Sequence, residues 1–487
     1  MEPADLRTAR ALGLTPLQYA FKTRPYKHQL AALKKALAKG CIALFMEMGT
    51  GKTKVAIDFA ACVALKGGGR VPVAHALVAA PLSVLGVWEE QIKEHDPYGD
   101  NDYMGVQYRI INYDRIFKPS VYDEIVEWLE EVPFDQRILI GDESHRFKRH
   151  STRRAKAMYR LARHCGKRVI MTGTPITNRG VLDLFAQFKV VDWSIFGTVF
   201  EAFKREYTRG EGFKGFKRVL RQSKKRKLQR KMAPYVVVVK KDDCFDLPPR
   251  KHVRVPVRLG EQASRIYREM ADQCVAEISG AHISAPNVLT RIMRLQQITG
   301  GWIKDSETEQ YHRVGTEKLD VYADLISTMM ENQRLKVVVY CRFLNEIEDI
   351  TTVTERAGYE VLTVQGANRR DRERTYKAFA ANTTPTVLVC QIATGALGRN
   401  ELVVAREAIF YSCDFSFDNF DQALDRLHRP GQKHKVTYYH LLAVLNTDRQ
   451  TVDHTVLSSL QDHRNLAKMV LKLPSLLYSG SDTEEEG

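Results

Sequence analysis

Cys41-Ile-Ala-Leu-Phe-Met-Glu-Met-Gly-Thr-Gly-Lys-Thr53 opens as an apolar run, turns at two glycines and resumes as a helical pattern through Val55, Ile57, Phe59 and Ala60. The run reads as a buried strand. A strand, a glycine loop and a helix in succession make a phosphate-binding geometry. Glycines let backbone N–H groups close around phosphate oxygens, and the new helix directs the positive end of its dipole at them. In this reading Met48, Gly49, Thr50 and Gly51 wrap the phosphates, Lys52 reaches the β/γ-phosphates, and the Thr53 hydroxyl ligates Mg²⁺. The stretch predicts a P-loop nucleoside triphosphate site at the edge of an α/β sheet.

Downstream, Ala76–Ala80 and Tyr108–Tyr113 read as strands alternating with helices, the pattern of a parallel sheet. Ligands bind at the carboxyl ends of such strands. Ser83 and Asn112 lie there, as candidate contacts to a nucleic-acid backbone or as ordinary turn residues. Arg137-Ile-Leu-Ile-Gly-Asp-Glu-Ser-His145 delivers two adjacent carboxylates to the same edge. Asp142 is expected to hold Mg²⁺, and Glu143 to polarise an attacking water. His145 either couples this edge to the next strand or is a core histidine. Thr172-Gly-Thr-Pro175 ends another strand, and its Thr172 and Thr174 hydroxyls are candidates for sensing the γ-phosphate, with a plain turn as the alternative. Ahead of the phosphate loop, Tyr26 and Gln29 either contact a nucleotide base or simply start a helix.

Lys and Arg number 74 against 58 Asp and Glu, a formal +16 with a pI near 9.3. That excess favours a polyanionic partner, nucleic acid before membrane. Thirteen Lys or Arg fall between Phe203 and Lys231, interleaved with Phe203, Tyr207, Phe213 and Phe216. Lys224, Lys225 and Arg226 are the candidate DNA contacts there; a solvated helix face and a nuclear-import signal are the alternatives. The eight cysteines include no Cys-x-x-Cys pair, so reduced core thiols are expected and neither a zinc site nor a disulfide frame. No apolar run approaches the ~18 residues of a membrane span. The expected location is the cytoplasm of a bacterium or phage-infected host cell, or the nucleus if the source is eukaryotic.

The second half repeats the α/β alternation without a phosphate loop, with strands expected at 336–341, 361–366, 386–390 and 408–411. Gln365 and Thr394 sit at strand-end turns suited to a phosphate backbone. In Asp421-Gln-Ala-Leu-Asp-Arg-Leu-His-Arg-Pro-Gly-Gln432, Gln422, Arg426 and Arg429 recur at spacings of four and three, predicting one shared helix face. Arginines so placed are suited to reach a triphosphate held elsewhere in the chain, Gln422 accompanying them at the nucleotide.

Met-Gly-Thr-Gly-Lys-Thr, Asp-Glu-Ser-His-Arg-Phe-Lys, Thr-Gly-Thr-Pro-Ile-Thr-Asn-Arg and Asp-Arg-Leu-His-Arg-Pro-Gly-Gln occur in that order. The series resembles a superfamily 2 helicase-like ATPase of the Swi/Snf type, over about residues 24 to 471. Met46, where a fuller phosphate loop has glycine, matches the helicase-type variant. The resemblance implies that Gln29 contacts nucleotide, that Lys52 and Thr53 serve the phosphates, that Asp142 to His145 form the acidic box, and that Arg426 and Arg429 are arginine fingers. Ser144 replaces the usual alanine of that box, and the glycine-rich motif at 394–401 is altered and longer. Two RecA-like lobes of a helicase core with helical insertions are implied, with ATP and Mg²⁺ as cofactors and movement along double-stranded DNA. The short chain is similar to stand-alone bacterial or bacteriophage members.

The expected layout is an ATP-binding lobe at 1–245 with a basic helical insertion at 200–232, and a linker at 246–258. A second lobe follows at 259–450 with a helical insertion at 259–312, then a C-terminal helix at 451–475 and an acidic, disordered tail at 476–487. The expected function is a DNA-dependent ATPase motor that translocates on duplex DNA and remodels DNA or protein–DNA complexes. Two alternatives stand beside it: a strand-separating or branch-migrating helicase acting on single-stranded or branched DNA, and an ATP-gated nucleic-acid-binding module without processive turnover. RNA remains open as a track, and no obligatory protein partner is implied.

Overall fold

The computed structural model describes residues 21–66, 73–97, 105–176, 180–211, 217–280, 285–305, 308–366, 372–395 and 401–461. The chain divides between Phe245 and Asp246 into two compact units.

Six strands form the first unit's sheet: β1 (Cys41–Met46), β2 (Val73–Ala80), β3 (Gly105–Asn112), β4 (Arg137–Asp142), β5 (Lys167–Met171) and, after an antiparallel hairpin of β6 (Thr208–Glu211) and β7 (Lys217–Leu220), β8 (Val236–Val239). Their order is β3-β2-β4-β5-β1-β8 and every pairing is parallel. Strands covered on both faces need apolar side chains at every position rather than at alternate ones. That is why Cys41–Met46 is buried throughout. Ala43 and Phe45 enter one core with Leu139, Ile170 and Phe188. Ile42, Leu44 and Met46 enter the opposite core with Ile57, Ile138 and Val169.

The helix Lys27–Lys39 lies on that second face through Ala32, Leu33 and Ala36. It stops at Gly40, whose φ of 72° is the left-handed cap that glycine adopts without strain and that turns the chain into β1.

The basic segment departs from expectation. It is not purely helical: helix Phe200–Tyr207, the β6–β7 hairpin and helix Gln222–Met232 follow one another. Phe203 and Tyr207, expected to interleave with the cations at a nucleic-acid surface, are instead 1% exposed in the first core. Leu228 anchors the second helix in the same core, leaving its polar side to the cations. Phe213 and Phe216 lie outside the described residues.

The second unit contains β9 (Arg250–Arg258), an antiparallel pair of β10 (Trp302–Lys304) and β11 (Tyr311–Arg313), β12 (Lys336–Cys341), β13 (Glu360–Val364), β14 (Thr386–Gln391), β15 (Glu407–Phe410) and β16 (Val436–Val444). Its main sheet has the order β13-β14-β12-β15-β16-β9, again wholly parallel. Val338 and Tyr340 face one core, and Val337, Val339 and Cys341 the other. Residues 250–258, expected as linker, are the edge strand β9, paired with β16 along its whole length. The helices Glu261–Gly280 and Ala285–Thr299 follow, and the antiparallel pair β10–β11 begins inside the 259–312 stretch expected as a helical insertion. Residues 452–461 are helical and pack into this unit through Val452, Val456, Leu457 and Leu460. The expected continuation of that helix to 475 and the acidic tail lie outside the described residues. Among the described residues, Cys41, Cys62, Cys165, Cys244, Cys341, Cys390 and Cys413 form no disulfide. No helix among the described residues is long and apolar enough to cross a membrane.

Candidate nucleotide site

Strands β4, β5 and β1 are neighbours, so the turns that follow them open at one edge of the first sheet. Asp142 pairs with Met171 across β4 and β5, and Met171 with Leu44 across β5 and β1. The register therefore sets the phosphate loop, the acidic pair and Thr172 side by side.

In the loop, Gly49 and Gly51 have φ of 76° and 82°, values that strain any other L-residue. Thr50 is fully buried and donates its hydroxyl to the Glu47 carbonyl at 2.6 Å. The Lys52 ammonium donates to the carbonyls of Met46 (2.9 Å) and Glu47 (3.2 Å), which holds its charge inside the curl of the loop. Thr53 is half-buried in the first turn of helix Lys52–Lys66, and Met48 packs against Gly173 from the β5 turn.

Gln29 is 4% exposed: its amide accepts the Tyr26 N–H at 2.9 Å and donates to the Thr50 carbonyl at 3.2 Å. A Cβ at Gly51 would lie 2.0 Å from Gln29 Nε2, an overlap added to the strain of its positive φ. Gly51→Ala is expected to weaken nucleotide binding roughly 5- to 100-fold, backbone strain of this kind costing about 1–3 kcal/mol. Titration with a fluorescent ATP analogue measures it, and native affinity would contradict the loop geometry.

Asp142 is 8% exposed. One carboxylate oxygen accepts the Trp88 indole N–H at 2.9 Å and the other accepts the Glu143 N–H at 2.9 Å, while Tyr113 donates to its carbonyl at 2.5 Å. Burial, reinforced by the adjacent Glu143 charge, pushes the Asp142 carboxyl up to about 6. Glu143 sits in the left-handed region at φ 49°, a strained placement that turns its side chain toward the β5 edge. Burial works to raise its pKa too. The His145 hydrogen bond and charge, with Lys52 and Thr172, overcome that and hold Glu143 down at about 2. Two neighbouring carboxylates thus have their proton affinities driven apart, the arrangement that separates roles within one site.

Thr172 donates to Glu143 Oε2 at 3.3 Å, so its oxygen accepts from His145 Nδ1 (3.0 Å) and from the Thr174 N–H (3.1 Å). His145 Nδ1 also lies 3.2 Å from Glu143 Oε2. Glu143, His145, Thr172 and Thr174 therefore form one buried network between two strand ends, so His145 is a network member, and the Thr-Gly-Thr-Pro turn is tied to the carboxylate. Ser144 donates to Gln187 Oε1 at 2.7 Å, and Gln187 donates to the Pro175 carbonyl at 2.7 Å, which fastens the box to that turn from below.

The donor set fits Mg²⁺. Asp142 keeps lone pairs beyond its two accepted N–H groups, and a carboxylate oxygen is the hard donor such an ion takes. Mg²⁺ is commonly bound through one or two carboxylates, with water and phosphate oxygens completing its shell.

In the second unit, Ser416 caps helix Phe417–Leu427 by accepting the Asn419 N–H at 3.2 Å. The helix ends at Leu427, which corrects one expectation: Arg429 does not continue the face of Gln422 and Arg426 but stands in the turn beyond. His428, hydrogen-bonded to the Pro248 carbonyl at 2.8 Å, has left helical geometry, and Gly431 at φ 101° completes the reversal. Gln432 fixes this turn by donating to the carbonyls of Val403, Ala405 and Leu427. Burial and the like charge of Arg426 lower the Arg429 pKa to about 10, leaving it ionised at neutral pH. Gln422 is buried, and its amide oxygen has no hydrogen-bond partner among the described residues.

The chain matches the SNF2-related domain over residues 28–300 and the helicase conserved C-terminal domain over residues 317–431. It belongs to the SNF2-related family, the Swi/Snf-type ATPases of superfamily 2. An uncharacterized ATP-dependent helicase of Mycoplasma genitalium is 23% identical over 81% of this chain and 37% of its own. The CHD3-type chromatin-remodeling factor PICKLE of Arabidopsis thaliana is 26% identical over 81% of this chain and 30% of its own. This SNF2-related chain thus spans about two fifths or less of such relatives. A solved SWI2/SNF2 ATPase core of Sulfolobus solfataricus in complex with dsDNA is similar at 20% identity and a TM-score of 0.40, covering 94% of this chain and 96% of that one.

The candidate DNA contacts fall in both units: Ser83, Asn112, Lys224, Lys225 and Arg226 in the first, Gln365 and Thr394 in the second. Asn112 accepts the Asp114 N–H at 2.9 Å, closing a turn. Lys224, Lys225 and Arg226 follow one another on helix Gln222–Met232, and Gln365 is half-buried after β13. The side chains of Ser83 and Thr394 lie outside the described set, although their backbones form helical turns at Leu82–Val84 and Ile392–Gly395. Trp88, Tyr113, Glu47 and His28 were not anticipated from sequence. Each acts through a partner far along the chain, so no local pattern announces it.

Proposed function

We propose that this SNF2-related chain is a DNA-dependent ATPase motor that hydrolyses ATP with Mg²⁺ to move along double-stranded DNA and remodel DNA or protein–DNA complexes. The observation that carries the reading is the Glu143–His145–Thr172 network beside Lys52, where a carboxylate kept ionised near a cation faces the end of the phosphate loop.

Lys52 exchanges its two carbonyl partners for β/γ-phosphate oxygens when ATP enters. Thr53 and Asp142 would hold Mg²⁺, which when bound offsets phosphate charge. Glu143 orients the attacking water and accepts its proton, and the Thr172 bridge carries loss of the γ-phosphate toward Thr174. Arg426 and Arg429 supply positive charge to the transition state from the second lobe. Lobe closure and release, tied to hydrolysis, advance the protein on its track. The basic excess, concentrated around Lys224–Arg226, supplies sequence-independent phosphate contacts, which makes binding salt-sensitive.

Displacing a third strand from a triplex, set beside displacing one strand of a duplex, tests the reading. Triplex displacement that needs ATP, without duplex unwinding, is expected. Unwinding without triplex displacement would refute translocation.

A further inference from the structure

Three rings from distant parts of the first unit, Tyr26, His28 and Phe245, meet beside the phosphate loop. Tyr26, 55% exposed, lies parallel to His28 with ring centroids 5.7 Å apart and planes 7° from parallel. Phe245 meets both edge-on, at 5.2 Å and 89° to Tyr26 and at 5.4 Å and 84° to His28. His28 Nε2 is 2.9 Å from the Thr50 carbonyl, so the aromatic group is anchored to the loop itself.

Phe245 is anchored there as well. Its N–H and that of Cys244 both donate to the Lys241 carbonyl at 3.0 Å, forming a tight turn after β8. The Lys241 N–H donates to Glu47 Oε2 at 3.0 Å, and the Glu47 N–H donates to the Val239 carbonyl at 2.9 Å. Glu47 belongs to the phosphate loop, so the turn bearing Phe245 is pinned to it through both the backbone and the side chain.

An exposed tyrosine that stacks on a ligand must first give up its rotamer freedom. An edge-on ring holding it in place lowers that cost and uses a favoured aromatic geometry. We propose that Phe245 is a positioning residue for nucleobase recognition: it fixes Tyr26 and His28 as the platform on which the base of the bound nucleoside triphosphate stacks. The inference rests on the nucleotide site proposed above and adds a component that the phosphate loop lacks. The base pocket is thereby built partly by the segment just before Asp246–Pro249, which leads to β9.

The test compares ATP with inorganic tripolyphosphate, which has the phosphates but no base, as ligands of the full chain. Phe245→Ala is expected to weaken ATP binding roughly three- to tenfold while leaving tripolyphosphate unchanged, and Phe245→Tyr is expected to restore ATP affinity. Unchanged ATP affinity in Phe245→Ala would overturn the proposal. Equal weakening of both ligands would also overturn it, since Phe245 would then support the loop and not the base. If the wild-type chain binds neither ligand, the nucleotide reading itself fails.

Discussion

Glu143→Gln is expected to lower the ATPase kcat by about 10²–10⁴, the range for losing a positioned general base, with ATP binding intact. The substitution keeps shape and removes charge. Gln still accepts a hydrogen bond from Thr172, so the bridge at 3.3 Å survives, but a neutral amide neither takes a proton from water nor pairs with His145. Nearby, Asp142 would lose the like charge that helps raise its pKa and would stay ionised to lower pH. Steady-state hydrolysis beside equilibrium binding of an ATP analogue separates the two effects. A kcat within tenfold of wild type would show that another group activates the water.

Removing the second lobe's cations should be as damaging. Arg426→Ala or Arg429→Ala is expected to cost about 10³–10⁵ in kcat, as for arginine fingers in phosphoryl transfer, with little loss of ATP affinity. These two guanidinium groups repel each other, which contributes to the lowered pKa of Arg429. A phosphate brought between them relieves that repulsion, and so does deleting either one. Asp425 and Glu401 attract Arg429 and offset that repulsion, so the single variants should lose turnover with little change in melting temperature. Thermal unfolding read beside the ATPase rate checks this. A lowered melting temperature together with a modest rate loss would make the arginines structural.

The strongest sequence signals were those in which chemistry and backbone geometry coincide. The Gly49–Thr53 loop needs positive φ at its glycines, and the acidic pair ends an apolar strand, so both could be read from residue types alone. Elements with weaker local signatures escaped. The linker expected at 246–258 rests on Leu247-Pro-Pro-Arg250 and absorbs the strand Arg250–Arg258 behind it. Basic residues and proline protect an exposed sheet edge, and the alternating Val253, Val255 and Val257 marked the strand. Arg429 was placed on a helix because spacing alone does not reveal that His428 is drawn off by Pro248, a contact made 180 residues away in the chain. Phe203 and Tyr207 looked like nucleic-acid contacts for want of the fold that buries them. Trp88 and Tyr113 became visible only when the sheet order set them against Asp142.

ATP hydrolysis by the full chain, measured with and without linear duplex DNA across a salt titration and beside Lys52→Ala, tests the motor most directly. Duplex should accelerate hydrolysis, rising salt should erase the acceleration, and Lys52→Ala should abolish turnover in every condition. A rate indifferent to DNA, or one that persists without Lys52, would contradict a DNA-driven ATPase built on this loop.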